Sequence, residues 1–300
     1  MDELLKVKRR FFRSGKERFL RIVEKELNDL GYECRKRSFW SMIFFRSVNL
    51  ETKAEKPRYI FIAHYDTGQI VPFWAHWLMR LIGINRQILI GVILVVFMNH
   101  FIPFMGENYP TIGSIISALF FIPLLGFFIP ASPNHNDNTS GVIALLQIAR
   151  QLKEKSNDNA QFIFVDNEEW GLFGSLAQKS YMKRHNLIPE GCRIISIDCV
   201  GGAGDIPLLV RNGKSNYEKP VREAILSEFN ECESVRMLLP ASDNFSFRRY
   251  GAINISFVKR TLLPKGYYIQ GIHSFSDRNI DLEKIGRLSN VLVDLAINDE

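Results

Sequence analysis

Five short stretches concentrate the residues that could do chemistry: AHYD (63–66), NDNTSG (136–141), NEE (167–169), SIDCVGG (196–202) and IHSFSD (272–277). Imidazole nitrogen and carboxylate oxygen are donors that a divalent ion such as zinc accepts. Two such ions about 3.5–4 Å apart need a bridging carboxylate and further ligands for each. Asp137 is the natural bridge. His64 and Asp198 could complete one ion's set, and Glu169 and His273 the other. Asp66 follows His64 by two residues on the same strand face, placed to accept the other imidazole N–H and fix its tautomer. Glu168 and Glu169 sit side by side in FVDNEEWGLFGS. Adjacent carboxylates projecting in different directions can divide the work, Glu169 binding metal while Glu168 takes the proton of an attacking water.

Taken singly, each of these residues has a plainer reading. A strand-end Asp or His usually caps or hydrogen-bonds, paired glutamates are usually solvated, and DNTSG alone reads as a turn feeding a helix N-cap. His76, His100 and His185 have no comparable context, and His135 is notable only for lying two residues from Asp137. Arg248 and Arg249 could read a substrate carboxylate, although a solvated surface pair is the plainer account.

The elements that must position the cluster are legible around it. RYIFIAHYDTG, NAQFIFVDNEE, GCRIISIDCVGG and AINISFVK are short apolar runs, the first three ending in polar residues, the pattern of buried strands delivering side chains to a site. Residues 15–30 place Phe19, Ile22, Val23, Leu27 and Leu30 at helical spacing, with Gly31 as the C-cap, and residues 137–152 begin with capping residues and continue as an apolar-periodic helix. Alternating strands and helices predict an α/β fold with a central, mixed, mostly parallel sheet flanked by helices and function at its strand ends. The 300 residues, 46% hydrophobic and 23% charged, suffice for one large core. Cys34, Cys192, Cys199 and Cys232 form no CxxC pair and read as free thiols of a reducing compartment, and no secretory signal is expected. Net charge is +6, with a basic run KVKRRFFRSGKERFLR near the N-terminus. No nucleic-acid motif accompanies that run, so a membrane surface or a solvated face explains it better than nucleic acid.

One segment departs from the pattern. From Gln87 to Asn136 the only Asp, Glu, Lys or Arg is Glu107. The runs QILIGVILVVFMNHFIPFM and TIGSIISALFFIPLLGFFIPA flank it, each close to the roughly 20 residues a helix needs to cross a bilayer. Residues 71–130 are therefore expected to form an inserted transmembrane hairpin, with 1–70 and 131–300 as the folded domain. Trp74, Trp77, Arg80 and Arg86 precede the first run like an interfacial belt, and the far turn GENYP has no basic residue. The positive-inside bias places the folded domain in the cytoplasm. A hydrophobic lid or dimer interface is the competing reading, favoured by Pro103, Pro123 and Pro130; the oligomeric state is not legible.

The series HYD, DNTSG, NEEWGLFGS, IDCVGG and HSFSD resembles the di-zinc aminopeptidase family that includes aminopeptidase Y, glutamate carboxypeptidase II and the glutaminyl cyclases. The resemblance runs from about Lys16 to the C-terminus, hairpin excepted. It implies two zinc ions on His64, Asp137, Glu169, Asp198 and His273, with Asp137 bridging, Glu168 as general base and Asp66 orienting His64. The implied activity is a membrane-anchored aminopeptidase acting on peptides. The alternatives are a one-zinc glutaminyl cyclase-like acyltransferase and an inactive scaffold. Two departures stand out: ASDNFSF (241–247) puts Asn244 where the family commonly has His, and the hairpin replaces a short connection.

Overall fold

The run YIFIAH forms the strand around which the site is built. In a computed structural model that describes residues 2–41 and 45–298, nine strands make one sheet. They are β1 (Cys34–Ser41), β2 (Phe45–Thr52), β3 (Tyr59–His64), β4 (Ala160–Val165), β5 (Arg193–Ile197), β6 (Ile206–Arg211), β7 (Glu233–Arg236), β8 (Ile253–Arg260) and β9 (Tyr267–Tyr268). Their order is β1-β2-β4-β3-β5-β8-β6-β7, with β9 paired to β8. The central strands β4, β3, β5 and β8 are parallel to their neighbours in that set, whereas the flanks add antiparallel pairs. The mixed sheet expected from the sequence is therefore present, with its parallel character concentrated at the centre.

Every residue of β3 and β4 is buried, because helices cover both faces and leave no side for polar residues. Tyr59, Phe61 and Phe162 point into a core shared with helices Arg13–Asp29, Gly141–Glu154 and Leu282–Asn298. Ile60, Ile62, Ile163 and Val165 point the other way, toward Met182 of helix Phe173–Arg184. Each such side chain contributes about 1.5–3 kcal/mol on burial, so the strand ends are held on a rigid base. Helix Arg13–Asp29 buries Phe19, Leu20, Val23 and Leu27, and Gly31 closes it with φ +84° and an N–H donated to the Asn28 carbonyl.

The chain returns from β3 to β4 on one side and reaches β5 on the other. Connections leaving in opposite directions open a crevice at the carboxyl ends, the usual place for a site in such sheets.

Between β3 and helix Gly141–Glu154 the structure has two helices long and apolar enough to cross a membrane. These are Ile84–Asn108, with mean hydropathy 2.3, and Pro110–Phe128, with 2.1. At 1.5 Å per residue they measure about 37 and 28 Å, against a hydrocarbon core of about 30 Å. Gly113 lets them touch backbone to backbone: a Cβ there would stand 2.7 Å from the Met105 carbonyl oxygen. At the other end the Ile70 N–H donates to Ile129 O (2.9 Å) and the Ala131 N–H to Gly68 O (2.8 Å), so the chain leaves and re-enters the body at one point.

Candidate active site

Each site residue is held by a different element, and polar bonds tie those elements together. His64 is the last residue of β3 and is paired in register with Val165 of β4. Asp66 accepts the backbone N–H of Glu168 on Oδ1 (3.1 Å) and that of Glu169 on Oδ2 (3.3 Å). It thus fixes the turn that carries both glutamates, a role the sequence did not suggest. Asp66 Oδ1 also lies 3.4 Å from His64 Nδ1, the neighbour expected for it.

Asp137 sits before helix Gly141–Glu154, where Asp277 accepts the backbone N–H groups of Asn136 (2.8 Å) and Asp137 (3.0 Å). Asn138 Oδ1 accepts the N–H of Gly141 (2.9 Å) and of Cys199 (3.2 Å), and its Nδ2 donates to Ile197 O (2.9 Å). The plain reading of DNTSG as a capping turn is thus correct for Asn138, whose cap also anchors the loop bearing Asp198. His273 comes from the loop after β9. Its Nδ1 lies 3.1 Å from Gln69 O and its own carbonyl accepts the Val71 N–H (3.0 Å), so the root of the apolar hairpin clamps it on both sides. With Nδ1–H donated to Gln69, Nε2 keeps its lone pair for the site.

The six expected ligand and base residues converge. His64 Nε2 lies 3.2 Å from Asp137 Oδ1 and 3.5 Å from Asp198 Oδ1; His273 Nε2 lies 3.3 Å from Asp137 Oδ2 and 3.5 Å from Glu169 Oε2. Two donor sets result, His64–Asp137–Asp198 and Asp137–Glu169–His273, and they share Asp137, which presents one oxygen to each. Glu168 reaches the same space with His64 and Glu169. Gly68 is required beside them, since a Cβ would stand 2.6 Å from the Glu169 carboxylate and from His273 Nδ1.

The charges are held at a cost. Both ring nitrogens of His64, Glu169 Oε1 and Asp198 Oδ1 are buried without a hydrogen-bond partner among the described residues. Each such orphan costs about 1–3 kcal/mol; His64 Nδ1 faces Asp66, and cations held by the two donor sets would satisfy His64 Nε2, Asp198 Oδ1 and Glu169, so the donors fit zinc. Burial, reinforced by neighbouring carboxylates, raises Glu168 and Glu169 well above the ordinary carboxylate range. Burial alone would lower His64, but Glu168, Asp137, Asp198 and Asp66 outweigh it and hold the imidazole well above its usual value. Burial likewise opposes ionisation of Asp137 and Asp66, yet His64 and other cations keep both below it. A cluster that draws a proton onto a buried imidazole attracts a dication by the same field.

Three contributors were not read from the sequence. Arg10 is fully buried, donating from Nε to Tyr65 O (2.5 Å) and from its Nη atoms to Val7 O (3.0 Å) and Asn134 Oδ1 (2.7 Å), with its guanidinium 4.4 Å from the Phe19 ring centre. Burial pushes its pKa down to about 10 against the pull of Asp66, Asp137, Asp277 and Glu169. Its signal was spacing: Leu4, Val7 and Arg10 recur every third residue and all three are buried. Asp277 closes the HSFSD stretch, and burial pushes it up to about 6. Asp243, in ASDNFSF, is fully buried beside His64 and Asp198, and burial pushes it up to about 7.

Other candidates lie apart. Asn244 turns into the body, where its Nδ2 donates to Val210 O (3.1 Å) and Asn212 Oδ1 (3.0 Å). Arg248 folds over the Phe245 ring and donates to the Phe245 carbonyl, while Arg249 is exposed, as a surface pair would be. His135 Nδ1 is 2.7 Å from Arg278 O.

Residues 127–296, more than half of the chain, match the family model described as Peptidase family M28. The chain belongs to peptidase family M28. That M28 match takes in Asp137, Glu168, Glu169, Asp198 and His273, whereas His64 and Asp66 precede it and join through the pairing of β3 with β4 and β5. Solved structures similar to this M28 chain include a glutaminyl cyclase from Bacteroides thetaiotaomicron bound to N-acetylhistamine, with TM-score 0.66 and 15% identity over 100% of this chain and 95% of that one. A Zn-dependent exopeptidase from Parabacteroides distasonis gives TM-score 0.65 and 16% identity over 99% and 95%. A leucine aminopeptidase precursor from Bacteroides thetaiotaomicron gives 0.63 and 15% over 100% and 94%. At these identities the likeness is one of fold. No curated protein matches the chain.

Proposed function

We propose that this M28 chain is a membrane-anchored, zinc-dependent aminopeptidase that removes N-terminal residues from peptides. The observation that carries the reading is the pair of three-donor sets sharing Asp137. In it, His64, Asp137 and Asp198 would hold one zinc and Asp137, Glu169 and His273 the other. Bound there, zinc supplies Lewis acidity toward a peptide carbonyl and a lowered pKa for nearby water.

The chain's own residues do the rest. Glu168 takes the proton of the attacking water and returns it to the leaving amine; burial, by raising its affinity for a proton, suits it to both transfers. Asp66 holds the Glu168–Glu169 turn in place, and Gln69 holds the His273 ring. Residues 71–130 form an inserted membrane hairpin on a catalytic domain made of 1–70 and 131–300. Arg80 and Arg86 lie at its body end and Glu107 near the far turn, which supports a cytoplasmic catalytic domain.

A one-zinc glutaminyl cyclase-like activity is the second reading, supported by the cyclases among the similar folds. Metal content on detergent-purified protein, read with hydrolysis of aminoacyl amides, separates the two. About two zinc ions per chain with amide hydrolysis is expected; about one with cyclisation and no hydrolysis supports the cyclase. Glu168→Gln should keep its zinc and lose about 10²–10⁴-fold in rate, and a near-normal rate refutes its role.

A further inference from the structure

The base of the apolar hairpin is flanked by two loops of the body that carry the same tripeptide, Leu238–Leu239–Pro240 and Leu262–Leu263–Pro264. All four leucines are exposed, Leu238 by 70% and Leu262 by 68%. Turn tips normally carry Gly, Asn, Asp or Ser, whose backbone or side chains suit a solvated turn, so leucine pairs there call for another solvent.

Both loops are bonded to the segment that leads into the first apolar helix. The Leu262 N–H donates to Arg80 O (3.2 Å) and the Leu263 N–H to Leu81 O (3.1 Å). Asn85 Nδ2 donates to Lys265 O (3.0 Å), the Arg86 guanidinium to Pro264 O, and Gln87 Nε2 to Pro240 O (3.2 Å). The helix Phe73–Ile82 adds exposed Phe73 and Trp77 beside them.

Charge completes the pattern. The segments 73–87, 236–240 and 261–266 contain Arg80, Arg86, Arg236 and Lys265, and no Asp or Glu. Exposed aliphatic and aromatic tips on segments whose only charges are basic, with the nearby Glu231 and Glu233 taken up by Arg260, match the headgroup–acyl boundary of an anionic bilayer, where apolar tips enter and cations meet phosphate.

We infer that the two Leu-Leu-Pro loops form a collar that enters this boundary, continuous with the hairpin, and seats the catalytic body against the membrane surface. The inference rests on the hairpin reading and goes beyond it, because a hairpin alone would leave the body free to tilt.

The test uses the full chain in liposomes containing phosphatidylserine. Cys34, the half-buried thiol, is replaced by Ser, and single cysteines at Leu262→Cys, Leu238→Cys and Leu226→Cys are labelled with the environment-sensitive dye NBD. Leu226 is the control: it is exposed at the end of helix Glu218–Leu226, which packs on the opposite face of the sheet. The collar requires a blue shift and quenching by doxyl-labelled lipid at 262 and 238, with neither at 226. If 262 and 238 behave as 226 does while the protein resists alkaline carbonate extraction, the collar is overturned and the hairpin stands. Extraction by carbonate overturns both. Shielding from a water-soluble quencher without quenching by lipid would put a protein on these loops instead, and would also overturn the collar.

Discussion

The crevice and the hairpin invert the ordinary distribution of residues in opposite ways. In the crevice Asp66, Asp137, Asp198 and Asp243 are buried around His64, where apolar side chains usually lie. In the hairpin Ile88, Val92, Val95, Phe104 and Ile115 are exposed, where polar ones usually lie. Each inversion is costly in a bare chain in water, and on the function proposed above a cation would offset it in the crevice and lipid in the hairpin. The two regions meet at residues 68–71, whose backbone clamps His273 on one side and closes the hairpin on the other.

Replacing the shared carboxylate strikes the crevice hardest. Asp137→Asn should abolish binding of both metals, measured as zinc per chain, and lower hydrolysis by more than the roughly 10²–10⁴-fold ascribed to a general base alone. One retained zinc would show that the donor sets are independent.

The hairpin should answer to charge and not to metal. Val92 is half exposed on the first apolar helix, and a lysine at a membrane helix centre costs about 2.5–3.5 kcal/mol. Val92→Lys should lower the fraction that resists carbonate extraction while leaving zinc per folded chain unchanged. Unaltered extraction would remove the distinction between the regions.

Gly68→Ala probes the seam. A Cβ 2.6 Å from Glu169 and His273 must displace both, and supporting contacts of this kind are worth about 10–100-fold in metal affinity. Zinc titration should show that loss with membrane retention intact. Normal affinity would mean that the crevice tolerates movement at the hairpin root.

The smallest expected effect is on the pH dependence of the metal-free protein. Burial pushes Asp277 up to about 6 and Asp243 up to about 7, and it raises Glu168 and Glu169 too. The folded state then binds more protons than the unfolded one, so stability falls as pH rises from about 4 to about 7. His64, raised by its carboxylate neighbours, contributes in the same direction, whereas Asp66 and Asp137, held low, act only below about pH 4 and leave this window unchanged. Chelator-treated protein should therefore melt at higher temperature at pH 5 than at pH 8, with zinc removing or reversing the difference. A flat metal-free profile would mean that the crevice carboxylates are already satisfied without a cation.

The parts of the site that could be read beforehand share one property: type and local spacing carried the information. His64, Glu169 and Asp198 follow at the ends of apolar runs, Asp137 opens the capping stretch before an apolar-periodic helix, His273 lies in the polar stretch IHSFSD, and β3, β4, β5 and β8 announced themselves as apolar runs. Asp66 was found as a neighbour of His64, but its bonds to the Glu168 and Glu169 N–H groups cross from β3 to β4 and have no local signature. The hairpin β1–β2 was not anticipated, since CRKRSFWS and FRSVNLET are polar and their strand character comes from pairing. Arg10 was hidden within a basic run whose other members face water, save Lys16, which pairs with the buried Asp166.

The sequence by itself determined the donor inventory, the buried strands and the two apolar runs with almost no charge, because ligand chemistry and hydropathy are properties of residues and their near neighbours. Only the tertiary structure decided that Asp137 offers one oxygen to each histidine, that Arg10 lies behind the carboxylates, and that the hairpin root grips His273. These contacts join segments between 55 and 204 residues apart, set by strand order and helix packing. No local pattern encodes such distances, since they emerge only when the sheet brings its strand ends together.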